Sequence, residues 1–174
     1  MRMLETARTV LRPFEEADVA SAFGWFSDAE VMRFIPSGAD ATMEDSRARI
    51  ARYRDHEARH GFSKWIILDK SSGAPIGDSG FYTLSGPPLN GAPRPELGYR
   101  LARAWWGKGL ATEVAGRWLE VASAWYGFTK VFAFAHPDHR ASQHVMQKLG
   151  FVYSHRETFY GVEAPLYVRD APQE

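Results

Sequence analysis

The chain has 174 residues, 45% hydrophobic and 24% charged, which suits one globular domain over residues 1–174. Lys plus Arg equal Asp plus Glu at 21 each, and there is no cysteine. A broadly basic nucleic-acid surface, disulfides, thiolate metal sites and a cysteine nucleophile are thereby excluded.

No apolar run approaches the ~20 residues that span a membrane, and Met1–Thr6 lacks an apolar signal core. A cytoplasmic protein with no membrane and no nucleic-acid partner is expected. Arg8–Phe14 reads as a strand stopped at Pro13. Glu15–Asp18 open a helix with an apolar face of Val19, Ala22, Phe23 and Phe26. Asp28 is placed to cap a short second helix, Ala29–Phe34, closed by Pro36 and Gly38. Thr42 starts a third helix that runs to His60 and stops at Gly61. Its arginines alternate with acids, the pattern of a solvated face; part of it is also placed to meet an acidic substrate or a ribose phosphate. His56 and His60 have the spacing of a helical metal pair, but no Glu or Cys completes a motif, so no metal is expected.

Phe62–Leu68 and Ala74–Leu84 read as strands joined by a turn at Asp69–Gly73. Ser85–Pro95, with four prolines and two glycines, reads as a loop. Glu96–Leu101 is a strand, and Val114, Trp118, Val121, Ala122 and Trp125 form one helical face. Lys130–Ala135 is a strand, Arg140–Leu149 a helix stopped by Gly150, and residues 151–158 and 165–169 a closing hairpin, with Asp170–Glu174 frayed. The order predicts an α/β fold: a mixed twisted sheet of about seven strands flanked by helices.

Between the fourth strand and its helix stands Trp105-Trp106-Gly107-Lys108-Gly109-Leu110-Ala111-Thr112-Glu113. A helix start offers unpartnered N–H groups and the positive end of a dipole, and glycines let an anion approach the backbone. The Walker pattern is absent, and Thr112 stands where the Rossmann pattern needs its third glycine. A nucleotide-binding enzyme using this helix start is therefore the weaker alternative. The segment resembles the acyl-CoA loop Gln/Arg-x-x-Gly-x-Gly/Ala of the GNAT N-acetyltransferases, in wording close to their RimJ/RimL-type branch. Trp106 departs from the first position of that pattern. Downstream, His139-Arg140-Ala141-Ser142-Gln143-His144-Val145-Met146-Gln147-Lys148-Leu149-Gly150-Phe151 matches the family's Asn-x-x-Ser helix motif, with His139 in place of asparagine. With Glu96-Leu97-Gly98-Tyr99 upstream, the resemblance covers nearly the whole chain.

The resemblance implies the GNAT fold and acetyl transfer from acetyl-CoA, the cosubstrate, to an amine attacking directly in a ternary complex. It implies that Gly107, Lys108, Gly109, Leu110, Ala111 and Thr112 hold the diphosphate through backbone N–H groups, with Trp106 also in the cofactor site. Tyr99, Arg100 and Leu101 would present a backbone edge to pantetheine and an N–H to the oxyanion, with His139 and Ser142 completing the cofactor site. Glu96 is the candidate base, acting through water, or else a salt-bridge partner. Ser142 is the candidate acid; Tyr153 and His136 are further candidates for either role. His139 either replaces the asparagine as a hydrogen-bonding group or brings a titration near neutrality. Trp25, Phe34 and Tyr160 are candidate acceptor contacts, although aromatic residues on these elements more often pack the core. The branch favours a peptide N-terminal α-amine. Small amines or antibiotics, and a non-catalytic acyl-CoA-binding module, are the alternatives, in a monomer or homodimer.

Overall fold

The structure, a computed structural model, describes residues 2–89 and 91–172. Eight strands form one sheet: β1 (Leu4–Glu5), β2 (Thr9–Pro13), β3 (Lys64–Asp69), β4 (Pro75–Leu89), β5 (Ala92–Leu101), β6 (Lys130–Phe134), β7 (Val152–Phe159) and β8 (Val162–Asp170). Four α-helices flank it: α1 (Val19–Phe26), α2 (Met43–His60), α3 (Leu110–Tyr126) and α4 (Arg140–Lys148). The strand order is β1-β2-β3-β4-β5-β6-β8-β7, and every described pairing is antiparallel except that of β5 with β6.

Local chemistry accounts for the helix limits. Thr42 and Asp45 form a reciprocal capping box on α2, and Gly61 ends it in the left-handed conformation, φ 78°. Gly127 ends α3 at φ 68° in the same way. Three expectations change. Ala29–Phe34 is a chain of turns, because Asp28 Oδ1 accepts from the N–H of Glu30 at 2.9 Å, an Asx turn, and Pro36 disfavours helical geometry at Ile35. Most of the expected loop at Ser85–Pro95 is strand: β4 and β5 form a long hairpin with Leu89 opposite Ala92, while Asn90 lies outside the described residues. Pro95 stands within the ladder opposite Thr83, and the other three prolines of this segment lie toward the far end of the hairpin. Asp170 belongs to β8 and Ala171 is buried, whereas the expected frayed residues Gln173 and Glu174 lie outside the description.

The sheet has two differently filled faces. Trp65, Ile67, Phe81, Leu97 and Leu101 pack with Val114, Trp118 and Val121 of α3 and Met146 of α4. On the other face Ile66 meets Trp25, Phe26, Met32 and Ile50 beneath α1 and α2. Period-two alternation sets this division. It also turns Glu96, Gly98 and Arg100 toward the α1/α2 face, in register with Tyr82, Gly80 and Asp78.

Candidate active site

The described β5–β6 pairing has one register position, Glu96 opposite Phe132. Beyond it the two parallel strands part, and Leu97–Leu101 pair only with β4. Ala102 N–H donates to Ile76 O at 2.9 Å. Antiparallel alternation then directs the peptide groups of Arg100 toward β4 and those of Tyr99 and Leu101 into the gap. The exposed edge expected of Tyr99, Arg100 and Leu101 thus consists of the alternate residues Tyr99 and Leu101. A cleft of about 450 Å³ occupies the gap, lined by residues of β5, β6 and α2 and by Phe34, His139, Ser142 and Tyr160.

One end of the gap leads to the glycine loop. Gly107 and Gly109 have φ 72° and 75°, and Gly109 is the N-cap of α3. A Cβ at Gly107 would meet nothing within 4 Å, so the loop is open on its outer side. These left-handed glycines ahead of the helix start fit a diphosphate, with Leu110, Ala111 and Thr112 supplying the first N–H groups. Lys108 Nζ lies 4.6 Å from the centre of the Trp105 ring. Trp106 Nε1 donates to Leu101 O at 2.7 Å, so the residue that departs from the family pattern fastens the end of β5. Arg8, absent from the expected set, donates to Lys108 O at 2.9 Å and pairs with Glu113 at 2.7 Å. It neutralises the one acid in the first turn of α3, where a carboxylate would repel a bound anion. Nothing in the strand pattern around Arg8 marked this contact, which spans 100 residues.

Ser142 lies in the first turn of α4, and its Oγ is 3.1 Å from the Tyr99 hydroxyl, which also donates to Ser142 O at 3.0 Å. Burial pushes the Tyr99 phenol up to about 12, so it stays a neutral donor at working pH. Tyr99 lies on the α3/α4 side of β5, where α4 brings Ser142 to it. Glu96 lies on the opposite face of β5, three residues away.

That opposite face is charged. Lys64 Nζ is 3.6 Å from Glu96 Oε2, and the two side chains are 9% and 17% exposed. Asp78 accepts from Arg100 Nε and Nη2 at 2.9 and 3.0 Å and from Trp25 Nε1 at 3.0 Å. Arg100 Nη2 also donates to the Tyr53 hydroxyl at 3.1 Å. Burial works against the Arg100 charge, but Asp78 outweighs it and holds the guanidinium protonated. Arg49 and Asp40 form a second buried pair at 2.5 Å.

The expected acceptor contacts divide. Phe34 lines the cleft, its ring stacked 4.5 Å from that of His139. Tyr160 lines it from the β7–β8 turn, where it is the only described non-glycine residue with positive φ, 51°. Trp25 is a correction: it is 2% exposed and supports Asp78 from within the core, because its indole fills the space beneath α1. His136 lines the cleft, but Tyr153 is 58% exposed and packs against Tyr167, outside the cleft lining. Burial, with His136 nearby, pushes His139 below the usual histidine range, so its ring is neutral near pH 7.

His56 uses both ring nitrogens within the fold. Nδ1 donates to Phe62 O at 2.7 Å, while Nε2 accepts from Thr83 N at 3.2 Å and lies 2.9 Å from Thr83 Oγ1. Among the described residues no group of three His, Cys, Asp or Glu is arranged to hold a metal. No described helix is long and apolar enough to cross a membrane.

Tyr53, Tyr82 and Lys64 also line the cleft and were not singled out from sequence, whereas Arg49 and Arg52 belong to the arginine-bearing face of α2 that the sequence placed to meet an acidic substrate or a ribose phosphate. Lys64 carried a signal: a lysine at an inward position beside the apolar run Trp65-Ile66-Ile67-Leu68.

The acetyltransferase (GNAT) domain family matches residues 8–152. YkkB of Bacillus subtilis (strain 168) is 32% identical over 152 residues, covering 87% of this chain and 86% of YkkB. A GNAT-family acetyltransferase from Bacillus anthracis superposes with a TM-score of 0.82 at 20% identity, over 98% of this chain and 99% of that one. RimL, a ribosomal-protein α-N-acetyltransferase solved in complex with coenzyme A, superposes with a TM-score of 0.77 at 18% identity, over 97% and 98% of the two chains. At those identities the two structures show the shared fold.

Proposed function

The chain belongs to the GNAT acetyltransferases and is an acetyl-transferring enzyme; from this premise we propose that it acetylates a primary amine, a protein N-terminal α-amine, by direct attack in a ternary complex in the cytoplasm. One observation carries the reading. Glu96 and the Tyr99–Ser142 pair stand on opposite faces of β5 beside the same gap. A proton acceptor and a proton donor thus flank one line along which an acyl group can pass. The α-amine acceptor is supported by the likeness to RimL and by acid–base chemistry. An α-amine titrates near 8 and a lysine near 10.4, so the former needs less deprotonation at pH 7.

Acetyl-CoA, when bound, supplies the thioester. Gly107–Thr112 hold its diphosphate with backbone N–H groups. Tyr99 and Leu101 offer their edge to the pantetheine amides, and an N–H on this edge faces the developing negative oxygen. Leu101 O is already engaged by Trp106. Glu96 takes up the proton of the acceptor ammonium, directly or through water, and Ser142 Oγ holds the proton returned to the departing sulfur. Phe34 and Tyr160 bound the acceptor end, and the neutral His139 orders the cofactor side by stacking on Phe34.

The test has two stages. Thermal-shift titrations compare acetyl-CoA, CoA and ATP; a ligand specific to the folded state stabilises it by about 2.7 kcal/mol at a hundredfold excess over Kd. Stabilisation by acetyl-CoA and not ATP is expected. Thiol release is then followed with free-α-amine tetrapeptides starting in Ser, Ala or Met, with lysine, and with small aliphatic amines. Turnover highest on the peptides supports the proposal. Turnover confined to small amines overturns the peptide acceptor, and tight acetyl-CoA binding without turnover on any amine supports a binding module instead.

A further inference from the structure

Lys64 reaches Glu96 from two strands away. Lys64 of β3 stands opposite Gly80 of β4, which stands opposite Gly98 of β5. Two glycines in this cross-strand row leave a lane over the sheet, and the Lys64 side chain lies in it. Its Nζ donates to Gly80 O at 2.9 Å and lies 3.6 Å from Glu96 Oε2. A Cβ on Gly98 would fall 2.3 Å from that Nζ and 3.3 Å from Glu96 Oε1. Any residue other than glycine at 98 therefore displaces the contact.

We propose that Lys64 is a positioning residue for the reaction, holding the Glu96 carboxylate ionised and aimed into the acceptor end of the cleft. This rests on the reading of Glu96 as proton acceptor. A carboxylate removed from water favours its neutral form unless a cation stands close. Lys64 supplies that cation along the sheet surface from the β3 side, leaving the rest of Glu96 open to the amine.

The surroundings are consistent with this pairing. Burial lowers the Lys64 titration, while Glu96 and then Asp78 raise it and Arg100 lowers it. From α2, His56 faces Lys64 and is neutral near pH 7; Tyr53, Arg49 and Arg52 line the same space. Tyr99 on β5 and Tyr160 on the β7–β8 turn both feel the Glu96 charge, and Tyr82 of β4 stands opposite Glu96. Arg49 is paired with Asp40 and Arg100 with Asp78, while among the described residues the ion pair to Glu96 comes from Lys64.

The experiment uses the full chain, with the peptide acceptor that turns over fastest in the screen above. In Lys64→Met the acid limb of the kcat/KM profile should move up by about one pH unit, as expected for loss of a nearby opposite charge. The limb shift is a readout that a merely damaged fold would not give, and a lower plateau should remain above the new limb because the carboxylate is no longer held in place. Gly98→Ala retains the lysine but dislodges it, and should move the limb in the same direction. A limb unmoved in both variants overturns the proposal. A second readout needs no acceptor: the Lys64 side chain, followed by ¹³Cε NMR, should titrate at lower pH in Glu96→Gln. No change there overturns the pairing itself. Glu96→Gln that keeps full turnover, with the NMR shift present, overturns instead the role of Glu96 as proton acceptor, and with it the proposed catalytic purpose of Lys64.

Discussion

The Tyr99 hydroxyl lies 3.1 Å from Ser142 Oγ, joining the parted edge of β5 to the first turn of α4. Ser142→Ala should lower kcat about 100-fold, the lower end for a lost general acid, while acetyl-CoA affinity changes little. Tyr99→Phe removes only the partner hydroxyl and should cost about tenfold. Its phenol is pushed up to about 12, so the alkaline limb of activity below pH 10 should keep its position in that variant. Pre-steady-state thiol release and calorimetric titration with CoA separate the two effects; an unchanged kcat in Ser142→Ala would remove it from the proton path.

Gly109 is left-handed at φ 75° and begins α3. Gly109→Val should weaken acetyl-CoA binding strongly and destabilise the fold by ~1–2 kcal/mol. Gly116 is the contrasting site: it lies within α3, and a Cβ there would rest 3.5 Å from Leu149 Cδ2, an ordinary contact. Gly116→Ala should raise Tm by about 2–4 °C through helix propensity and leave the cofactor Kd alone. Melting curves with and without acetyl-CoA test both; equal cofactor responses in the two variants would disconnect the loop from binding.

Asp78 is 1% exposed and is the carboxylate partner of the buried Arg100. Asp78→Ala leaves the guanidinium with the Tyr53 hydroxyl, Met32 Sδ and the face of the Phe26 ring, none of which carries a compensating charge. Breaking a buried pair on one side costs about 3–5 kcal/mol, so denaturant melts should show a loss of that order. Asp78→Ala with Arg100→Met should recover part of it, and a double variant no better than the single would show that the charge is not what matters.

Much of the fold was legible because its signals were local. Thr42, Gly61 and Gly150 stand at helix limits, and the apolar run within 62–68 and the segment 96–101 marked strands. The chemistry-bearing loop and Ser142 were legible as spaced motifs. The acceptor wall was not, because it forms only by cross-strand register. Lys64, Gly80 and Gly98 are remote in sequence and become one lane only once β3, β4 and β5 are paired. Trp25 misled for the opposite reason: its place on an early helix matched an entrance, while burial and its bond to Asp78 place it in the core.

His56 is buried, and burial, with His60 and Lys64 nearby, lowers its titration below the usual histidine value against the pull of Phe62 O. Above about pH 6.5 both folded and unfolded states carry a neutral ring there and no penalty arises. Below it the unfolded state binds the proton first, so stability falls as pH drops toward the folded-state titration. His139 shifts in the same direction and adds to the effect. Urea melts from pH 8 to 5 should show this decline, and His56→Gln should flatten part of it. A stability profile as steep in that variant would assign the loss elsewhere.

With a single described register position between β5 and β6, the two parts of the sheet are joined chiefly by side-chain packing and by the Arg94–Glu157 ion pair rather than by backbone rungs. On one side lie β1–β5 with α1 and α2; on the other, β6–β8 form their own antiparallel unit. Backbone amides on either side are secured within their own half, so the junction is the natural boundary between cooperative opening units. On the proposed reading, a cosubstrate in that gap would supply rungs the chain omits. Hydrogen exchange should therefore slow across the whole β6–β8 unit when acetyl-CoA is bound, beyond the residues it touches. The slot that admits the reactant would also govern how the two halves are held together.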